Sequence, residues 1–209
     1  MNVKVGTIAL ASTDSGTKAV TGTGFLPELV IFWGTGSSVA SLGNRYQVFG
    51  VMTAAAQWCW HAQLDDNGAA CYRSTAYSAT YAVYLRASDA GTGGRYAYSS
   101  FDADGFTLTV TNAVAAGNNI TLSYLALAGA DFYGACGVGT LPTSQVQEVV
   151  TGLTSLPNAL IYVSGPTTHV AAAGTANSDA GLNIGFATGA SVEASAGAWT
   201  DGDPATSDS

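Results

Sequence analysis

Basic side chains are few in this sequence, and they stop early. The 209 residues hold six Lys or Arg (Lys4, Lys18, Arg45, Arg73, Arg86 and Arg95), all within the first 95 positions. From Tyr96 onward stand nine of the 14 Asp and Glu, with no Lys or Arg among them. A surface so charged cannot neutralise a run of phosphates, which argues against nucleic acid as a partner. The net charge of −8 serves solubility, or else faces a basic partner surface. Charge of either sign is sparse, at 10% of residues against roughly a quarter in an ordinary globular protein. That leaves much neutral surface, as suits a protein held in an assembly. Long apolar runs are lacking too. Nothing approaches the ~20 residues of a membrane-spanning helix, so no membrane partner is expected. Near the N-terminus the longest apolar run is Ile8-Ala9-Leu10-Ala11. That is short for the apolar centre of a secretion signal, so the expectation is a protein made in the cytoplasm.

Cysteine and histidine are equally scarce. Three Cys, an odd number, do not make a disulfide framework. Cys59 and Cys71 flank the turn signal Asp65-Asp66-Asn67-Gly68 and could face each other across a hairpin. Reduced, buried thiols are the expected state for these two and for Cys136. His61 falls on the polar face of an alternating run, and His169 follows a Gly-Pro-Thr-Thr loop. Both read as surface histidines, with no second ligand at metal-binding spacing. No Gly-x-Ser-x-Gly elbow, phosphate loop or zinc pattern occurs. The expectation is a protein that is not an enzyme, with no cofactor and no metal.

What the sequence has in quantity is glycine (26), tyrosine (10) and apolar residues (47%), a composition that can bury a core. Its organising stretch is Val20-Thr21-Gly22-Thr23-Gly24-Phe25-Leu26-Pro27-Glu28-Leu29-Val30-Ile31-Phe32-Trp33-Gly34. Five apolar residues from Leu29 to Trp33, after glycine and proline turns, predict a strand buried on both faces. A flexible loop is expected from Gly34 to Ser38. Strands are expected before it at Val3–Leu10 and Thr17–Thr21. Trp58, Trp60, Ala62 and Leu64 alternate with Gln57, Cys59, His61 and Gln63, the pattern of a half-buried antiparallel strand. A second alternating run covers Tyr77–Leu85. Beyond it come Tyr96–Phe101, the turn Asp102-Ala103-Asp104-Gly105, and Phe106–Thr111 with Phe106, Leu108 and Val110 pointing inward. Asn112–Asn118 reads as a loop and Ile120–Leu127 as a closing strand. Helical periodicity is missing throughout. The fold class is all-β, an antiparallel β-sandwich or jelly-roll-like barrel.

An internal repeat divides the chain. The organising stretch returns as Val150-Thr151-Gly152-Leu153-Thr154-Ser155-Leu156-Pro157-Asn158-Ala159-Leu160-Ile161-Tyr162-Val163. Gly50-Val51-Met52-Thr53 through Ser74 lies without a gap on Gly185-Phe186-Ala187-Thr188 through Ser209. Residues 1–130 read as one complete sandwich unit, and 133–209 as a partial copy without its closing strands. Such a copy leaves an edge to be covered, which points to packing within the chain or in a homo-oligomer.

Few residues suggest chemistry. Asp102 and Asp104, two apart before a glycine, could hold Ca²⁺. No downstream bidentate Glu completes the loop, and a hairpin turn capped by its own carboxylates is the better reading. Trp58 and Trp60 share a strand face: exposed, they would form a sugar-stacking platform; buried, they are core. Together with Trp199 they are the candidate assembly or ligand surface.

Three segments, VTGTGFLPELVIFWG (Val20–Gly34), SSFDADGFTLTV (Ser99–Val110) and YLALAG (Tyr124–Gly129), taken in order, resemble a β-rich family common in the structural gene clusters of tailed bacteriophages. The pattern is a Gly-Phe-x-Pro strand, a Ser-Phe-Asp-Ala-Asp-Gly-Phe-Thr-Leu turn and a closing Tyr-Leu-Ala-Leu-Gly-Gly. Here Ala128 stands where the family has Gly. Gly185–Gly189 in the second copy resembles the family's middle segment. The resemblance implies a virion structural protein without catalytic residues, located on the particle exterior as a head decoration (cement) protein bound to the major capsid protein or other virion proteins. A tail or fibre component with lectin-like carbohydrate recognition is the alternative it leaves.

Overall fold

A computed structural model of the chain describes residues 1–37, 44–67, 70–85, 93–114, 120–137, 158–164, 169–170, 180–188 and 192–200. Strands run in order β1 (Asn2–Leu10), β2 (Gly16–Thr21), β3 (Leu29–Ser37), β4 (Asn44–Thr53), β5 (Gln57–Asn67), β6 (Ala70–Ser78) and β7 (Val83–Tyr84). They continue as β8 (Arg95–Asp102), β9 (Gly105–Asn112), β10 (Ile120–Ala128), β11 (Leu160–Ser164), β12 (His169–Val170), β13 (Ala180–Thr188) and β14 (Val192–Thr200). They form a seven-stranded sheet β1-β10-β3-β4-β5-β6-β12, a four-stranded sheet β2-β9-β8-β7, and a three-stranded sheet β11-β13-β14. The pairings among described residues are antiparallel. The fold is therefore all-β, antiparallel and sandwich-like.

The organising strand β3 sits near the middle of the seven-stranded sheet, between β10 and β4. Its residues Leu29 to Phe32 are buried, as an apolar run without polar alternation predicts, whereas Trp33, the fifth of the run, is 39% exposed. Val30 and Phe32 face the four-stranded sheet and join one core with Leu122, Tyr124, Met52, Phe106, Leu108 and Tyr96. Phe106 stands at its centre, edge-on to Phe32 at 5.6 Å and to Tyr124 at 5.2 Å between ring centroids. Such edge-to-face pairs add about 0.5–1.5 kcal/mol each beyond the area they bury.

Two glycines set how closely parts of the sandwich approach. At Gly50 on β4 a Cβ would overlap the carbonyl oxygen of Ala82, on the segment leading to β7. Gly105 opens β9 with φ of 156°, and a Cβ there would overlap the carbonyl oxygen of Val20 on β2. The neighbouring Asp104 fastens the same junction. Its carboxylate accepts from the backbone N–H of Gly22 (3.1 Å) and of Gly24 (2.6 Å), and its carbonyl accepts from Gly22 and Thr23. The Asp102-Ala103-Asp104-Gly105 turn thus closes onto the glycine turn that precedes the organising strand.

Several sequence expectations are corrected. The chain turns after Ser78, so Tyr77–Leu85 is not one strand: Tyr77 and Ser78 are the last residues of β6, and only Val83–Tyr84 forms β7. Asp65 and Asp66 belong to β5, opposite Tyr72 and Cys71, because the hairpin closes beyond Asn67. That register sets Cys59 against Ser78, so Cys59 and Cys71 do not face each other. The strand predicted to end at Trp33 continues to Ser37, paired with β4. His169 lies on β12 rather than in a loop. Residues 38 and 115–118 of the expected loops lie outside the described residues.

Candidate functional site

Register places a broad apolar surface on the side of the seven-stranded sheet that faces away from the four-stranded sheet. Residues directly opposite on paired strands share a face. Trp33 of β3 therefore stands beside Phe49, Phe49 beside Trp60, and Trp60 beside Tyr77, an aromatic row across four strands. The next row on the same face is Val5, Leu125, Ile31, Val51 and Trp58. No side chain in these two rows is charged. Trp60 is 2% exposed, whereas Trp33 is 39%, Tyr77 44% and Val5 62% exposed. Trp58 is half-buried. The surface is packed at its centre and open at its sides.

This face reverses an expectation about β5. His61 was expected on the solvent side, but it is fully buried, its ring 5.0 Å from that of Tyr84. Cys59 beside it is buried as well. The small residues along that face, with Gly50 opposite Cys59, let the segment around Ala82 and β7 pack against it. The tryptophans are left to the outer side. Neither the Trp58 nor the Trp60 indole N–H, both shielded from solvent, has an acceptor among the described residues, a state that costs about 1–3 kcal/mol per donor. The stretch after β10 closes one end of the face: Gly134 packs on Leu29, and the Cys136 thiol donates to the Ala56 carbonyl at 3.3 Å.

The sequence reading named Trp58 and Trp60; the structure sets Trp60 opposite Phe49 in the aromatic row and Trp58 opposite Val51 in the next. It missed Trp33, Phe49 and Tyr77 as members of the row. The alternation within Leu29–Trp33 was the available signal, since it sends Ile31 and Trp33 to one side and Val30 and Phe32 to the other. Trp199 lies on β14 opposite Gly181, away from this row, and its side chain lies outside the described residues.

Two polar clusters serve the fold. Asp14 accepts from Lys18 (2.6 Å), the Ala11 N–H (2.9 Å) and the Tyr96 hydroxyl (3.1 Å). Burial pushes its carboxyl up, but these partners together outweigh it and hold it below the ordinary 3.8. Tyr96 is pushed the other way, first by burial and then by the Asp14 charge. Elsewhere Arg95 lies 5.8 and 5.4 Å from the ring centres of Tyr81 and Tyr84, a cation–π pair. Asp102 accepts from Ser100 and Thr107 hydroxyls at 2.8 and 2.7 Å, so it and Asp104 hold separate hydrogen-bond sets. Among the described residues no group of three or more His, Cys, Asp or Glu could hold a metal ion. Comparison with protein-family models, curated proteins and solved structures finds no match for the chain.

Proposed function

We propose that this chain is a non-enzymatic structural component of a bacteriophage virion, a decoration protein docked on the outside of the head against the major capsid protein. The observation that carries the reading is the pair of uncharged aromatic and aliphatic rows on the outer face of the seven-stranded sheet. Trp33, Tyr77 and Val5 are exposed on it. Contiguous apolar surface of that extent marks protein interfaces, where aromatic residues dominate the energy. The arrangement of the three resembling segments also supports it: β3 pairs with β10, and the Asp104 turn clasps Gly22 and Gly24. In this reading the two facing sheets are a jelly-roll-like unit, and residues 133–209 are a partial second copy of it. The alternative, a tail or fibre component that binds carbohydrate, draws on the open edge of Trp33 and the half-buried Trp58. Trp60, at 2% exposure, offers a sugar no open ring face.

The test is the copy number of this protein relative to the major capsid protein in purified particles, by quantitative mass spectrometry. A decoration protein should be present in numbers matching the capsid lattice. A small fixed number would move the assignment to the tail, and glycan binding would be assayed next. Absence from particles would refute the virion reading.

A further inference from the structure

The four-stranded sheet has an edge that its own last strand covers only in part. β7 is two residues long and pairs with the start of β8, Val83 opposite Tyr96 and Tyr84 opposite Arg95. The chain before it follows β8 as far as Ala82, whose N–H donates to the Tyr96 carbonyl at 2.9 Å. Past Tyr96, no strand among the described residues lies on the side of β8 away from β9. The stretch that begins there, Tyr96-Ala97-Tyr98-Ser99-Ser100-Phe101, holds no charge, proline or glycine. Segments of about six residues with that composition and aromatic strand formers stack on copies of themselves when an edge exposes them.

A side chain from the other sheet fills the gap. Gln57 opens β5, on the face it shares by alternation with Cys59 and His61. Its Oε1 accepts from the Tyr98 N–H at 2.6 Å, and its Nε2 donates to the Thr80 carbonyl at 2.7 Å. A side-chain amide offers the donor and acceptor of a peptide group. Gln57 therefore carries the hydrogen bonding of the edge onward from the point where the chain around Ala82 leaves β8. Glutamate could accept from Tyr98 but would set a carboxylate against the Thr80 carbonyl, and an apolar residue could do neither. Farther along, the register of β8 shifts between Tyr98 and Ser100, a bulge that twists the strand away from a flat neighbour. The Tyr98 N–H lies before that bulge, where a straight strand could still pair. We propose that Gln57 guards the β8 edge, keeping β8 of one copy of this chain from pairing with β8 of another.

The test compares the full chain with Gln57→Leu, which keeps bulk and removes the amide. Amide hydrogen exchange at Tyr98 should be about tenfold faster in the variant, as for the loss of one hydrogen bond. Incubated at equal concentration, Gln57→Leu should form thioflavin-positive β assemblies several-fold faster than the wild type. Adding Ser99→Lys, a charge at an exposed position of β8, should suppress that assembly while Tyr98 still exchanges fast. Asp104→Asn, which loosens the junction of β2 and β9 instead, controls for lost stability as such and should assemble more slowly than Gln57→Leu. Gln57→Glu, which keeps the acceptor alone, should fall between Gln57→Leu and the wild type, and it takes the place of Gln57→Leu if that variant does not fold. Unchanged exchange at Tyr98 overturns the proposal. So does assembly no faster than that of the wild type or of Asp104→Asn, or assembly that Ser99→Lys leaves intact. None of these readouts depends on the virion reading.

Discussion

Replacing Gly105 with Ala tests the closest approach in the sandwich. Two separate penalties meet at this position. Its φ of 156° lies outside the regions that side chains favour, a cost of about 1–3 kcal/mol. The added Cβ would also overlap the Val20 carbonyl oxygen, a backbone atom that moves only with β2 itself, and overpacking costs about 1–3 kcal/mol. Gly105→Ala should therefore destabilise by about 2–6 kcal/mol, or lower the melting temperature by roughly 4–24 °C for a chain of this size. Two companion substitutions separate the terms. Gly16 has φ of 65° and no neighbouring atom within 4 Å of a built Cβ, so Gly16→Ala should cost only about 1–2 kcal/mol. Gly50→Ala meets the Ala82 carbonyl with no conformational penalty and should cost about 1–3 kcal/mol. Urea unfolding of the four proteins, compared at equal m, gives the differences. If Gly105→Ala costs no more than Gly16→Ala, β2 and β9 are not packed as described, and the account of the junction fails.

Asp104→Ala removes a charged acceptor from two backbone donors and should cost about 2 kcal/mol after allowance for solvent exposure, with Asp104→Asn losing roughly half of that; equal stability by urea unfolding would refute the clasp. Asp14 is held below its ordinary value, so its contribution is present above pH 3.8 and is lost as the pH falls. Asp14→Asn should therefore flatten the acid limb of a stability profile, and an unchanged limb would contradict this. Tyr96 is raised, so its contribution is full below about pH 10 and is lost as the pH climbs beyond that. Tyr96→Phe should flatten the alkaline limb. Burial pushes the Cys59 thiol up to about 12, against weaker lowering by hydrogen bonds with the Ser78 and Tyr84 backbone. A thiol reagent at pH 8 should leave it untouched until the protein unfolds, and modification in the native protein at the rate of a free thiol would show it to be accessible.

Local pattern determined a good part of this protein. Consecutive apolar residues between glycine and proline turns are enough to mark β3 as a buried strand, since burial on both faces removes the need for polar alternation. Phe106, Leu108 and Val110, alternating with threonines, define the inward face of β9 for the complementary reason. Only the tertiary structure decided which face of β5 is inside. Its alternation sets Trp58 and Trp60 against Cys59 and His61, and hydrophobicity by itself assigns the tryptophans inward. The packing goes the other way because Gly50 admits the Ala82 backbone, and the space left on that side takes small residues and one histidine. The aromatic row has the same origin. Trp33, Phe49, Trp60 and Tyr77 are far apart in sequence and become neighbours through the registers of three hairpins. Those registers are fixed by where each turn closes, which the strand residues do not encode. Which side of the sheet is left outside is likewise a property of the second sheet, packed from Gly16–Thr21, Val83–Tyr84, Arg95–Asp102 and Gly105–Asn112, and not of the strands that carry the face.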